Sequence, residues 1–275
     1  MGMIQPSQVT RDRCKTPPFG RRRFLQGTLA LGVAGGLRLP VVSAAEAVQR
    51  PAPGSRTERV ALKINTVSGN LVNFGYRTWN GNQPNAYRNS AYLWSVSANK
   101  VPWNRPPQAA IEIAGNQPTG DQNFKNVQIT DTAYLLGYAV GPKIAGSGWS
   151  PYANVIATAL IPREGSGAPT YQYFSTDVAV VHAGTTSLAF DFHFPPGFFA
   201  KQAGAWAGLW SGAGASPVLV PRWHAPIEID SNAGTSGLND IQLDRGMTYT
   251  LAIFPTGAGA GLDLKRLAAA VTFTA

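Results

Sequence analysis

An internal duplication constrains the fold of this chain more than any other feature of its sequence. Leu93-Trp94-Ser95 recurs 116 residues later as Leu209-Trp210-Ser211, and Ile111-Glu112-Ile113 recurs at the same offset as Ile227-Glu228-Ile229. Between residues 93 and 116 the ungapped alignment contains eight identities in 24 positions, where chance would give about two. The chain is therefore predicted to contain two units of one fold.

Each unit has the pattern of an all-β domain. Apolar and polar residues alternate in short runs, as at 188–193, which is the period of a half-buried strand. Clusters of Gly, Pro and Asn separate about seven such runs per unit, a spacing typical of an immunoglobulin-like sandwich. We expect two tandem Ig-like antiparallel β-sandwiches at 58–162 and 171–275, joined by a linker at 163–170. A single fused jelly roll is the alternative fold.

Two short motifs in the second unit resemble segments of Ig-like domains. Trp206-Ala-Gly-Leu-Trp210 has the form W-x-G-L-W, and Leu243-Asp-Arg-Gly-Met-Thr-Tyr249 has the form L-x-x-G-x-x-Y. The resemblance covers only these motifs, so it implies the sandwich fold and carries no function.

The N-terminal segment resembles a twin-arginine export signal. Arg21-Arg22-Arg23-Phe24-Leu25-Gln26 has the form R-R-x-F-L followed by a polar residue, and a Gly-containing apolar stretch comes after it. Residues 1–47 are therefore predicted to be a cleaved signal peptide, with cleavage after either Ala44 or Ala47. A flexible leader is predicted at 48–57. The resemblance implies a periplasmic or secreted protein, and the apolar stretch is too short for an integral membrane protein.

The predicted signal also carries much of the unusual composition. The whole chain has 23 Lys and Arg and 14 Asp and Glu. Seven of the cationic and two of the acidic residues precede residue 48, so the remainder carries a net charge of only +4. This excess is weak evidence for a nucleic-acid partner, and none is predicted. The single cysteine, Cys14, also lies in the signal, which excludes disulfides and thiolate metal sites after cleavage.

Residues that recur in both units are predicted to be structural. Trp94 and Trp210 are expected in the cores, packed between the two sheets of each sandwich. Tyr134 and Tyr249 each begin a strand after a polar corner, to which the hydroxyl is expected to bond. The equivalent carboxylates Glu112 and Glu228 are expected in cross-strand pairs on the surface.

Residues present in one unit only are the stronger candidates for a ligand site. Asp191 and His193 share one face of a predicted strand, and His224 follows a tryptophan in a predicted loop. The three histidines of the chain, at 182, 193 and 224, suggest a metal-binding alternative. Their spacing matches no compact motif, so no metal or other cofactor is predicted. Four tryptophans lie in predicted loops rich in Pro, Gly and Asn, which suits contact with a sugar or a peptide: Trp79, Trp103, Trp149 and Trp223.

No catalytic motif is present, and no catalytic residue is assigned. We therefore interpret the chain as an exported binding or assembly protein whose loops contact a protein or glycan in the cell envelope. A homo-oligomer is an open alternative for its assembly state. The alternative functions are an envelope enzyme acting on a polysaccharide, using carboxylates such as Asp191, Glu228 and Asp230, and a metal-binding periplasmic protein.

Overall fold

A computed structural model describes residues 56–145, 148–163, 170–258 and 261–275. The predicted signal peptide and most of the predicted linker lie outside these residues. The described chain forms sixteen strands, one short α-helix and one 3₁₀ turn. The strands are β1 Arg56–Arg59, β2 Ala61–Ser68, β3 Leu71–Arg77, β4 Ser90–Val96, β5 Ala109–Glu112, β6 Thr119–Lys125, β7 Ala133–Ala139, β8 Val155–Ile161, β9 Gln172–Ser175, β10 Asp177–Ala183, β11 Ser187–His193, β12 Trp206–Ser211, β13 Trp223–Pro226, β14 Ala233–Asn239, β15 Thr248–Phe254 and β16 Ala269–Thr274. The helix α1 is Ala200–Ala203, and the 3₁₀ turn is Leu264–Arg266.

The strands form four antiparallel sheets with the same connectivity in the two units. In sandwich 1, β2-β3-β6 faces β5-β4-β7-β8-β9, and in sandwich 2, β10-β11-β14 faces β13-β12-β15-β16-β1. Within each unit the second, third and sixth strands form one sheet, and the fourth, seventh and eighth belong to the other, as in Ig-like sandwiches. The predicted all-β fold is confirmed. The paired sheets remain open and are not fused into one jelly roll.

Period-two burial shows why these segments become strands. In β3, Val72, Phe74 and Tyr76 are buried and alternate with half-buried residues. Their side chains meet the opposite sheet, where the Tyr76 and Tyr138 ring centroids lie 5.7 Å apart. Each strand therefore places one row of apolar side chains in the core between its sheets.

The first strand of each unit pairs with the last strand of the other unit. β1 lies antiparallel to β16, with Arg56 opposite Thr272. β9 lies antiparallel to β8, with Gln172 opposite Leu160. Arg56 and Thr57, the last two residues of the predicted flexible leader, therefore belong to a strand. Each five-stranded sheet is completed by a strand from the other unit.

Trp94 and Trp210 are buried, but on a different side of the sheet from the one expected. Leu93 lies opposite Leu136 and Trp94 lies opposite Leu135. Tyr138 contacts the three-stranded sheet and shares its face of β7 with Leu136, so Trp94 points to the outer face. The register of β12 with β15 places Trp210 on the equivalent outer face. The tryptophans are enclosed by loops rather than by the second sheet.

Both tyrosines that recur make the hydrogen bond of a tyrosine corner. The Tyr134 hydroxyl accepts from the Thr130 backbone N–H at 2.8 Å. The Tyr249 hydroxyl accepts from the Asp244 N–H at 2.9 Å. Both side chains are 1% exposed. The hydroxyls thus satisfy buried donors at the same turn in each sandwich.

The two sandwiches also cover each other through the segments that follow their third strands. Trp79, after β3, packs in one buried cluster with Trp206, Trp210 and Phe254 of sandwich 2. In the other direction, Phe198, after β11, packs against sandwich 1. This reciprocal cover creates the junction where the candidate site lies.

Candidate functional site

A groove of about 650 Å³ opens at the junction of the sandwiches. One wall is the loop between β4 and β5, and the other is formed by Trp149 and by the turn that precedes α1. The lining residues are Val96, Ser97, Ala98, Lys100, Val101, Pro102, Trp103, Asn104, Arg105, Trp149, Gly197 and Phe199. The volume is in the range of ligand sites in proteins. We call this surface the aromatic groove.

Three aromatic rings from both sandwiches line the groove, and the buried ring of Phe198 packs against two of them. The centroids of Trp103 and Trp149 lie 5.2 Å apart, and Phe198 lies 5.5 Å from each of them. Phe199 meets Trp149 edge to face at 5.5 Å and 90°. Trp103 is 6% exposed whereas Phe199 is 41% exposed. Such edge-to-face packing stabilises the cluster and leaves ring surface facing solvent at the rim.

One hydrogen bond across the junction and one within sandwich 1 hold the floor in place. The Trp103 Nε1–H donates to the Pro196 carbonyl of the other sandwich at 3.3 Å. The Ser150 hydroxyl donates to the Trp103 carbonyl. Gly197 has a φ of 75°, and the Lys100 side chain occupies the space that a Cβ there would need. The positive φ favours glycine at this position, whereas the flexible Lys100 side chain could move away from a Cβ.

The groove has a positive electrostatic character. Lys100 and Arg105 are exposed at its rim. One Arg105 guanidinium nitrogen donates to the Ser95 carbonyl, which fixes the side chain and leaves other donors free for a ligand. Among the described residues, no Asp or Glu lines the groove. An anionic group would therefore meet two cations and no opposing carboxylate.

The structure brings together two of the four predicted loop tryptophans, Trp103 and Trp149. Trp79 is 2% exposed and stacks on Tyr87 at 6.4 Å, away from the groove. Trp223 lies opposite Leu209 in β13 and packs against the core of sandwich 2. Trp79 is buried and Trp223 is half-buried, and neither lines the groove.

Asp191, His193 and His224 do not form one site. Asp191 and His193 lie on the outer face of the three-stranded sheet, where Asp191 accepts from the Thr235 hydroxyl at 2.5 Å. His193 packs edge to face on Phe174 at 4.9 Å. His224 lies on the outer face of the opposite sheet, against Trp206. Within the described ranges, no three His, Cys, Asp or Glu residues are grouped to hold a metal.

The carboxylates proposed for a polysaccharide-cleaving enzyme have other partners. Glu228 pairs with Lys201 at 2.9 Å, and a hydrogen bond from Lys201 to Glu228 raises the pKa of Lys201. Asp230 accepts from the Gln202 side-chain amide at 2.5 Å. Glu112, the equivalent of Glu228, pairs with Arg88 at 3.5 Å. Cross-strand pairs were expected for both glutamates. Glu112 pairs instead with Arg88, in the loop before β4, and Glu228 pairs with Lys201 of α1.

Sequence reasoning missed three residues of the groove: Phe199, Lys100 and Arg105. The Phe198-Phe199 pair follows Pro195-Pro196-Gly197, and aromatic residues in such a turn are a signal that was available. Lys100 and Arg105 flank Trp103 along the chain and gave no comparable pattern. Only the fold shows that they share a surface with Phe199, which is almost 100 residues away.

Comparisons with known proteins show little similarity. The sequence matches no protein-family model and no curated protein. Among solved structures, the chain is similar to Salmonella alpha-2-macroglobulin reacted with methylamine, with a TM-score of 0.24 and 10% identity. That match covers 79% of this chain and 17% of the macroglobulin chain.

One further finding concerns membranes. In the part of the chain that the structure describes, no helix has the length and apolar character needed to cross a bilayer.

Proposed function

We propose that this protein is an exported binding protein that holds an acidic glycan of the cell envelope in the aromatic groove. The observation that carries the proposal is the composition of the groove, with Trp149 and Phe199 beside Lys100 and Arg105 and no described carboxylate in the lining. Export rests on the resemblance of residues 21–26 to a twin-arginine signal.

The chemistry of the groove matches an acidic sugar in three ways. The exposed part of the Phe199 ring and the Trp149 ring offer flat apolar surface to the C–H face of a sugar. Ser97 and Asn104 can donate to and accept from hydroxyls. Lys100 and Arg105 can pair with a carboxylate on the same or the next sugar. None of these groups performs bond cleavage, so the proposal is binding without turnover.

Calorimetric titration of the protein with a uronic-acid oligosaccharide and with a neutral oligosaccharide of equal length tests this function. We expect binding of the acidic ligand only. Phe199→Ala is expected to lower its affinity about tenfold by removing a stacking surface. Lys100→Gln is expected to weaken binding and to reduce its dependence on salt.

Met247→Ala provides a matched control, because Met247 is 54% exposed and is not part of the groove. This variant should bind like the wild type. Equal affinity for the acidic and neutral sugars, or equal loss in Met247→Ala and Phe199→Ala, would contradict the proposal. Thermal unfolding of each variant confirms that the fold is retained.

A further inference from the structure

The loop between β12 and β13 exposes three consecutive aliphatic side chains. Val218, Leu219 and Val220 are 78%, 68% and 67% exposed, which exceeds every other large apolar side chain of the described chain. Prolines at 217 and 221 flank them. We call these three residues the apolar tip. A contiguous exposed apolar segment on a folded protein commonly marks an interaction surface.

Hydrogen bonds fix the backbone of the tip while its side chains remain free. The Ser216 hydroxyl accepts from the Val218 N–H at 3.2 Å and from the Leu219 N–H at 2.9 Å. The Trp210 Nε1–H donates to the Leu219 carbonyl at 2.8 Å. The exposure of the tip therefore belongs to an anchored loop, so little conformational entropy would be lost when the side chains are buried by a partner.

The duplication shows that sandwich stability does not require this exposure. The equivalent loop of sandwich 1, between β4 and β5, buries its apolar residues. Val101 is 2% exposed and Trp103 is 6% exposed, and Trp94 Nε1 bonds the Arg105 carbonyl at 3.0 Å as Trp210 bonds Leu219. The hydrogen bond from the tryptophan to a loop carbonyl is common to both loops. Only the loop of sandwich 2 directs large apolar side chains into solvent.

The charges around the tip favour an anionic surface. No Asp or Glu occurs between residues 192 and 227, and Arg222 follows the tip with one proline between them. The Arg222 guanidinium lies over the Trp223 ring at 4.3 Å from its centroid, directly after the tip. Exposed aliphatic residues followed by an arginine match the order of a bilayer interface, in which acyl chains lie below the zone of anionic headgroups.

We propose that the apolar tip inserts into the outer part of an anionic lipid bilayer, with Arg222 at the headgroups. A bilayer needs no cavity complementary to the tip, since aliphatic side chains partition into it individually. Three such side chains and one cation provide reversible attachment, which would hold the protein at a membrane surface beside its ligand. The attachment is independent of the aromatic groove, which lies at the junction of the sandwiches.

A site-specific probe tests this insertion in the full chain. Cys14 is the only cysteine, so Cys14→Ser combined with Leu219→Cys gives one thiol for an environment-sensitive dye. Cys14→Ser with Val181→Cys is the matched control, since Val181 is 42% exposed on the outer face of β10. The dye is followed on vesicles of phosphatidylcholine, with and without phosphatidylglycerol, that contain a nitroxide-labelled lipid.

We expect a blue shift and quenching at position 219 and neither at 181, with the larger effect on vesicles that contain phosphatidylglycerol. With Val218→Ser and Val220→Ser added, the lipid concentration that gives half of the signal from position 219 should rise about tenfold. The N-terminal apolar segment is the same in all variants, so a loss of signal caused by Val218→Ser with Val220→Ser reports on the tip and not on that segment. Equal quenching at both positions would overturn the proposal. An unquenched tip would also overturn it and would assign the tip to a protein partner.

Discussion

At the scale of residues, the outer faces of the five-stranded sheets show how the two copies have diverged. Tyr92 lies opposite Gly137 in sandwich 1, and Gly208 lies opposite Ala252 at the equivalent place in sandwich 2. A Cβ at Gly137 would lie 2.8 Å from Trp94 Cζ3 and 3.1 Å from a methyl carbon of Val155. The absent side chain at Gly137 therefore makes room for the buried Trp94 ring.

We predict that Gly137→Ala lowers the free energy of unfolding by about 1–3 kcal/mol, because the added methyl group overpacks the Trp94 site. Gly69→Ala is the matched control, since nothing lies within 4 Å of a Cβ at that position. Urea denaturation of the two variants measures the difference. A loss in Gly137→Ala no larger than in Gly69→Ala would show that the side chains around Trp94 adjust without cost.

A second residue-scale feature is the buried hydroxyl of Tyr138. It accepts a hydrogen bond from the Asn89 side-chain amide at 3.1 Å. Burial raises the pKa of Tyr138 far above the ordinary value for tyrosine. In the unfolded chain tyrosine loses its proton near pH 10. Above that pH the unfolded state binds fewer protons than the folded state, so the free energy of unfolding falls as pH rises.

The predicted pH effect has a defined window and size. Stability contributed by Tyr138 is constant below about pH 10 and declines above it by up to about 1.4 kcal/mol per pH unit. Tyr138→Phe should therefore have a shallower decline above pH 10 than the wild type, although it is less stable at neutral pH because Asn89 loses an acceptor. Urea midpoints from pH 8 to 11 test this. Parallel profiles for the two proteins would contradict it.

At the scale of elements, β1 and β9 are exchanged between the two copies. Each completes the five-stranded sheet of the other copy's sandwich. Thr176, which follows β9, is 1% exposed, and both its N–H and its hydroxyl donate to the Ile156 carbonyl. β9 is therefore tied into sandwich 1 although it belongs to the second copy of the repeat. The boundary at 163–170 separates the copies in sequence but does not separate the strands in space.

The exchange predicts which fragment of the chain folds better. Fragment 60–176 contains β2 to β9 and keeps the β8–β9 pairing, whereas fragment 56–162 contains β1 to β8 and leaves β1 without β16. Both lose the cover from Phe198, so they differ mainly in the exchanged strand. We expect 60–176 to unfold at a higher urea concentration, because each retained backbone hydrogen bond contributes about 1 kcal/mol. Equal midpoints would show that the exchanged strand contributes little.

At the scale of the whole molecule, the two sandwiches belong to one compact unit. The exchanged strands, the Trp79 segment and the Phe198 segment all cross between the copies, and one continuous apolar core includes residues of both. The aromatic groove draws its walls from both sandwiches. A ligand there would contact the junction, which makes the groove sensitive to any change in how the copies pack.

The comparison of sequence and structure separates local from non-local information. Alternating burial in β3 and β11 was predictable, since period two is a property of consecutive residues. The tyrosine corners were predictable because Tyr134 and Tyr249 bond to residues four and five positions away. For the site, Trp103 and Trp149 were expected as ligand residues by their loop context, but their proximity to Phe199 depends on contacts between distant segments.

The amino-acid sequence by itself determined the strand periodicity and the equivalence of the two copies, because alternation and duplication are visible along the chain. Only the tertiary structure decided that β1 and β9 are exchanged, that Trp94 and Trp210 face outward under loops, and that aromatic residues from two sandwiches line one groove. These outcomes depend on register and on pairings that range from Leu160 with Gln172, 12 residues apart, to Arg56 with Thr272, 216 residues apart. Such segments have many alternative partners in sequence, and packing in three dimensions selects one.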